Sequence, residues 1–166
     1  MTGSTPGSGP ASGAPTPELV TVGPAVTAVV RGVVPMAGLR DFFDGSFREL
    51  AAVVSKQQLA VQGPAFALYH GVPGGTADLE VGFATDRPVT PEGQVAPGTL
   101  PAARVARVVH CGSFDALGNS WGRLGAWIGE QGLTPGEDMW ECYLTEPSPD
   151  MDPDDLRTEL NWPVRD

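Results

Sequence analysis

The chain is poor in positive charge. Its 166 residues include 10 basic against 20 acidic side chains, for a formal net charge of -10, and Lys56 is the single lysine. No stretch clusters arginine, so the surface cannot supply the set of phosphate contacts that nucleic acids require. We therefore expect no direct binding to DNA or RNA.

Long apolar runs and cysteines are also scarce. The chain is 41% apolar, enough for a core, but no run approaches the roughly 18 uninterrupted apolar residues of a membrane helix. Two cysteines, Cys111 and Cys142, are too few for a disulfide framework. The N-terminus lacks the basic start and apolar segment of a signal peptide. These features predict a cytoplasmic protein that does not enter the membrane.

The N-terminal segment is nearly free of residues that build a core. Gly, Pro, Ser and Thr make up 14 of the first 17 residues. Such a segment cannot bury enough surface to offset the entropy lost on ordering. We predict a disordered tail over residues 1–19 and one folded domain over residues 20–166.

Strand and helix patterns alternate in the folded part. Phe43, Phe47, Leu50 and Val54 form the apolar stripe of a helix within 36–60. A second stripe, Leu117, Trp121, Leu124 and Ile128, precedes Gly132 and Pro135, which end a helix. Short β-branched or alternating runs predict strands at 25–31, 66–70, 79–83, 103–110, 140–144 and 156–162. A turn is predicted at 71–75 and a long Pro- and Gly-bearing connection at about 86–101.

The two halves match at a nearly constant offset. Phe43 and Leu117 differ by 117 - 43 = 74, and the same shift relates the three pairs Phe47 and Trp121, Leu50 and Leu124, and Tyr69 and Tyr143. Pro88-Val89 and Pro163-Val164 give 75. The register indicates a duplicated β-α-β-β module. We predict an α+β fold of antiparallel sheet with two main helices.

Five segments, in order, resemble the GyrI-like, or BmrR-type effector-binding, superfamily across residues 20–164. They are Val-Val-Arg-Gly-Val-Val-Pro (29–35), Phe-Phe-Asp-Gly-Ser-Phe-Arg-Glu-Leu (42–50), Gly-Pro-Ala-Phe-Ala-Leu-Tyr-His (63–70), Trp-Glu-Cys-Tyr-Leu-Thr-Glu-Pro (140–147) and Leu-Arg-Thr-Glu-Leu-Asn-Trp-Pro-Val (156–164). The resemblance implies a pseudo-twofold fold with a central cleft for small, often aromatic and cationic molecules. It also implies a cleft glutamate in a Glu-x-Tyr pattern, here Glu141 and Tyr143, and a stand-alone member of the superfamily.

Alternation in a strand puts Met139, Glu141 and Tyr143 on one face. A surface acid is the ordinary interpretation of such a glutamate. In a cleft, however, the carboxylate would lose hydration and a cationic ligand would restore the balance, with aromatic walls adding cation-π attraction. The candidate walls are Tyr69 and Tyr143, together with Trp121 and Trp127, for which core packing is the alternative.

Other chemistries find weaker support. His70, His110, Cys111 and Cys142 lack the local spacing of a zinc site. His110, Ser113 and Asp115 lack a nucleophile elbow. The glycines at 71–75 lie between strands and not at a strand-to-helix junction. The aspartates at 150–155 lack the glycine and glutamate of a calcium loop. We expect neither a metal nor a cofactor.

Three functions remain open. The first is a binding protein that sequesters or senses an amphipathic, drug-like molecule. The second is a hydrolase of cyclopropane-bearing alkylating compounds, with Glu141 as general acid or base. The third, by analogy with the superfamily, is a partner of gyrase or of a transcription regulator.

Overall fold

The protein is described by a computed structural model that covers residues 16–71, 74–145 and 152–166, without the side chain of Asp115. These residues form nine strands and two helices. The strands are β1 (Glu18–Val22), β2 (Ala25–Pro35), β3 (Phe66–His70), β4 (Thr76–Ala84), β5 (Val95–Leu100), β6 (Ala103–Cys111), β7 (Thr134–Pro135), β8 (Asp138–Tyr143) and β9 (Arg157–Arg165). The helices are α1 (Leu39–Lys56) and α2 (Leu117–Glu130).

The sheet confirms the predicted α+β class and its two β-α-β-β modules. Its strand order is β1-β6-β9-β8-β3-β4-β2-β5, and every paired neighbour is antiparallel. One module is β2-α1-β3-β4 and the other is β6-α2-β8-β9. The modules meet where β3 pairs with β8. Outward from that contact the first module continues β4, β2 and the second continues β9, β6, so equivalent strands occupy equivalent positions.

Opposite each other at this junction stand Ala67 and Glu141. They also differ by 141 - 67 = 74, the offset that relates the two repeats. A residue that pairs with its own equivalent lies on the pseudo-twofold axis. Glu141 is therefore central to the domain, and Tyr69 and Tyr143 lie on either side of it.

The two faces of the sheet build separate cores. On the Glu141 face, α1 packs Leu50, Val53 and Val54 against strands of the first repeat, and α2 packs Leu124 and Ile128 against strands of the second. The other face carries a cluster of Val29, Phe66, Leu68, Val105 and Trp140. Because β2 and β6 contribute to this cluster although four strands separate them, the sheet curves strongly around it. Each helix covers its own repeat.

The second part of the predicted connection at 86–101 is a strand. It is β5, an edge strand that pairs with β2 from Ala25 to Val30. Pro97 and Gly98 are typical loop residues, but an edge strand tolerates a proline because one side of its backbone needs no partner. The predicted connection was therefore wrong over Val95–Leu100.

The N-terminal boundary and the second offset also need correction. Glu18 and Leu19, assigned to the tail, pair with Arg107 and Ala106 of β6. Residues 1–15 of that tail, and 72 and 73 of the predicted turn, lie outside the described residues. Phe66 pairs with Gly82 and its equivalent Trp140 pairs with Asn161, a shift of 161 - 82 = 79. The offset of 75 inferred from the Pro-Val pairs was therefore wrong.

Candidate functional site

Glu141 is a buried acid surrounded by uncharged donors. Only 4% of its surface is exposed. Its Oε1 accepts a hydrogen bond from the Tyr143 hydroxyl at 2.7 Å and a longer one from the Tyr69 hydroxyl at 3.4 Å. Its Oε2 accepts from Nε1 of Trp121 at 3.1 Å. No Lys, Arg or His in the described ranges forms an ion pair with it.

Local strand geometry creates this arrangement. Ala67 stands opposite Glu141 and leaves room for the larger side chain. Tyr69 and Tyr143 each lie two residues along their strand, on the same face. Trp121 reaches the carboxylate from α2, on the stripe that also carries Leu124. Three of the predicted walls, Tyr69, Tyr143 and Trp121, thus contact the predicted acid directly.

Burial dominates the electrostatics of the site. It raises the pKa of Glu141, and the hydrogen bonds from Tyr143, Trp121 and Tyr69 oppose that rise only in part. The pKa values of Tyr69 and Tyr143 are raised as well, first by burial and then by the nearby carboxylate. Both phenols therefore remain protonated donors. Among the described residues, the carboxylate has hydrogen bonds but no ion-pair partner.

Phenylalanines enlarge the aromatic wall beyond the predicted residues. The Tyr143 ring contacts Phe43 at 6.2 Å and Phe114 at 6.0 Å between centroids, both edge to face. Phe47 contacts Phe43 and Phe83. Sequence reasoning assigned Phe43 and Phe47 to the helix core and did not single out Phe114. The apolar stripe of α1 was the available signal for Phe43 and Phe47, because residues on that stripe pack against the sheet face that carries Glu141.

Trp162 of β9 packs against the ring of Trp121. Their rings meet edge to face at 5.6 Å, and Nε1 of Trp162 donates to the Gly136 carbonyl at 2.9 Å. Gly125 of α2 makes room for this ring, because a Cβ there would lie 3.2 Å from Trp162. A fixed Trp162 therefore holds the indole that donates to Glu141.

The two remaining predicted residues lie in the core. Met139 is 4% exposed and belongs to the core cluster beneath α1, next to Tyr69 on the neighbouring strand. Trp127 is half-buried and packs against the cluster of Ala106, Leu124, Ile128 and Leu160. The described donors to Glu141 are Tyr69, Trp121 and Tyr143, and Trp127 is not among them.

A second polar group lies on the same face. Nδ1 of buried His110 is 2.6 Å from Oγ of Ser120, and its Nε2 is 2.9 Å from the Ser113 carbonyl. Arg123 donates to the same Ser120 oxygen at 3.0 Å. Because the Ser113 carbonyl can only accept, Nε2 of His110 carries a proton and donates to it.

Two surface cavities lie apart from Glu141. One, of about 420 Å³, is lined by His70, Gly136, Glu137 and Asp138 among others. The second, of about 370 Å³, lies between β2 and α1 beside Phe42. No group of three or more His, Cys, Asp or Glu side chains in the described ranges is placed to hold a metal. None of the described helices is long and apolar enough to cross a membrane.

A family model for the GyrI-like small molecule binding domain matches residues 15–165. The chain belongs to the GyrI-like family. The duplicated fold and the resemblance seen in the five sequence segments agree with this assignment. A search of curated proteins gave no significant match.

Solved structures share the GyrI-like fold. The C-terminal domain of EcmrR has a TM-score of 0.81 at 22% identity, over 91% of this chain and 98% of that one. In an EcmrR-DNA complex the TM-score is 0.79 at 22% identity, and the match covers 90% of this chain but 57% of the EcmrR chain. SAV2435 bound to tetraphenylphosphonium has a TM-score of 0.65 at 12% identity, over 90% and 94% of the chains. A hydrolase encoded by lin2189 from Listeria innocua gives 0.65 at 13%, over 90% and 92%.

Proposed function

We propose that this GyrI-like domain binds aromatic cations, with Glu141 as their counter-ion, and thereby sequesters or senses toxic compounds. The observation that carries the proposal is a carboxylate 4% exposed that has three neutral donors and no ion-pair partner among the described residues. Burying an ion without its counter-ion costs free energy. A cationic ligand would supply the missing charge, and the surrounding rings would add cation-π attraction of about 0.5 to 2 kcal/mol.

Ligand entry needs movement of the aromatic wall. Phe43, Trp121 and Tyr143 are half-buried residues, whereas Glu141 beneath them is buried. Their displacement would open a path to the carboxylate without unfolding the sheet beneath it. The tetraphenylphosphonium named for SAV2435 is an aromatic cation of the required kind, which makes it a suitable probe here.

The test compares a cation with a neutral analogue. Titration calorimetry would measure binding of tetraphenylphosphonium and of triphenylphosphine oxide to wild type, to Glu141→Gln, and to the exposed control Glu130→Gln. We expect Glu141→Gln to weaken the cation at least about 10-fold, because a charge-assisted contact is lost, and to leave the neutral compound unchanged. Equal losses for both compounds, or an equal loss in the control, would contradict the proposal.

A hydrolase is a second candidate, favoured by the raised pKa of Glu141 beside two protonated phenols. A carboxyl group whose pKa is raised by burial suits general acid-base chemistry better than an ordinary surface glutamate does. Incubation with a cyclopropane-bearing alkylating compound would test it by chromatography of the product. We expect Glu141→Gln to bind the compound without forming product. Product formed at the wild-type rate by this variant would exclude the catalytic role.

A further inference from the structure

A buried hydroxyl on the Glu141 face has no hydrogen-bond partner. Thr158 of β9 is 0% exposed, and its Oγ1 finds no donor or acceptor within the described part of the chain. Buried polar groups are nearly always paired, so each exception needs an explanation.

Sheet register places Thr158 next to the site. Its partner on β8 is Tyr143 and its partner on β6 is His110, so the three share one face. Glu141 pairs with Leu160, two residues along the same strand. Glu141 and Thr158 are therefore diagonal neighbours, with Cβ atoms roughly 7–8 Å apart.

The two side chains opposite Thr158 make their hydrogen bonds with other groups. The Tyr143 hydroxyl donates to Glu141 at 2.7 Å. Both ring nitrogens of His110 are engaged, by Ser120 and by the Ser113 carbonyl. Phe114, which packs against Tyr143, is 39% exposed, so the wall at this end is partly in solvent. Within the residues that the structure describes, an unused hydroxyl thus lies beside a carboxylate that has no ion-pair partner.

We propose that Thr158 is a specificity-determining residue of this site, whose hydroxyl binds a polar atom of the ligand. This inference rests on the proposed function, in which Glu141 binds the cationic part of the same molecule. The ligand class is then an aromatic cation that also carries a hydroxyl, carbonyl or amino group. That group lies roughly 7–8 Å from the positive charge, the distance between diagonal neighbours in the sheet. A buried group of this kind discriminates against ligands that leave it unpaired.

The experiment replaces the hydroxyl with a methyl group of similar size. Thr158→Val and wild type would be titrated with tetraphenylphosphonium and with its para- and meta-hydroxyphenyl derivatives. Thr27→Val is the matched control, because Thr27 is also 0% exposed with an unpartnered Oγ1. Thr27 lies on the other face of the sheet, on the same side of β2 as Val29.

We expect wild type to bind one hydroxylated derivative more tightly than the parent cation. Thr158→Val should remove that advantage, a loss of about 3- to 10-fold, and leave the parent affinity unchanged. Thr27→Val should change neither. Without ligand, Thr158→Val should unfold at or above the wild-type temperature, because its unpaired hydroxyl is replaced by an apolar group.

Two results would overturn the role of Thr158 while the proposed function stands. One is an equal effect, or none, on parent and hydroxylated cations that still depend on Glu141. The other is a melting temperature of unliganded Thr158→Val more than about 4 °C below that of Thr27→Val, which would mean that the hydroxyl is paired in the free protein. If wild type binds none of the three cations, the proposed function fails and the role of Thr158 fails with it.

Discussion

The two repeats share a framework but differ at the axis where they meet. The first repeat places Ala67 there and the second places Glu141, with equivalent tyrosines on either side. Two carboxylates facing each other in a buried position would repel, and only one could ionise. A single acid opposite a small residue avoids that cost. The duplicated framework is thus symmetric around the axis, and the glutamate in place of an alanine gives the site its acid.

The two helices also differ in the polarity of the residue that each places near Glu141. Phe47 of α1 and Trp121 of α2 are equivalent at the offset of 74, yet Phe47 packs its ring on Phe83 while Trp121 donates to Glu141. A phenyl ring has no N–H group, so at this pair of positions the donor to the acid comes from the second helix. The first helix contributes apolar wall there, while Tyr69 of β3 is the polar contribution of the first repeat.

Adding an acid to the first repeat should have the largest effect. We expect Ala67→Glu to destabilise the protein by at least about 3 kcal/mol at neutral pH, because it buries a second carboxyl group against Glu141 and one of the two must give up its charge. Urea unfolding would measure the loss. At acidic pH the loss should shrink, since the pair can then share a proton.

Two further variants control that experiment. Ala67→Gln adds the same bulk without charge, so a loss equal to that of Ala67→Glu would show that crowding, not charge, is responsible. Ala67→Glu combined with Glu141→Ala moves the acid to the other repeat. It should recover part of the lost stability, because one carboxylate again faces a small residue.

Removing the existing acid should change how stability depends on pH. Because the pKa of Glu141 is raised in the folded protein, the folded state holds its proton more tightly than the unfolded chain, whose glutamates titrate near 4.3. Stability contributed by this group is therefore present below that value and is lost as pH rises through the folded pKa. Thermal unfolding across this range should show a weaker fall with rising pH in Glu141→Gln than in wild type.

Comparing wild type with Glu141→Gln isolates the titration of Glu141 from that of the other acidic residues. Subtracting the two pH profiles cancels the contributions of the other carboxylates, which both proteins share. Parallel profiles would mean that Glu141 titrates alike in the folded and unfolded states.

The smallest effect is expected behind Trp121. Trp162→Phe keeps a ring but loses the hydrogen bond to Gly136, so we expect a loss of about 1 kcal/mol and a looser Trp121. Quenching of tryptophan fluorescence by acrylamide should increase in a background where Trp127 is replaced by Phe. The variant then retains Trp121 and Trp140, and Trp140 is only 3% exposed, so the increase would come from Trp121. Unchanged quenching would show that Trp162 fills space without orienting its neighbour.

Local patterns predicted most of the framework because they depend on neighbours in the chain. The stripe through Phe43 and Phe47 found α1, and alternation put Met139, Glu141 and Tyr143 on one face. The edge strand β5 was missed, since Pro97 and Gly98 are ordinary loop residues whose strand conformation depends on pairing with β2. Trp162 and Thr158 were missed as site neighbours because their proximity arises from strand pairing across the sheet.

The sequence by itself determined the family, the duplicated modules and the presence of an acid flanked by equivalent tyrosines, because periodicity and motif order are properties of the chain. Only the tertiary structure decided that Glu141 lies on the pseudo-twofold axis and is buried. It also decided that, within the described part of the chain, Glu141 has no ion-pair partner and shares its face with a threonine whose hydroxyl is unpaired. Burial and hydrogen-bond satisfaction depend on every element that packs around a group, and strands far apart in sequence supply those elements here.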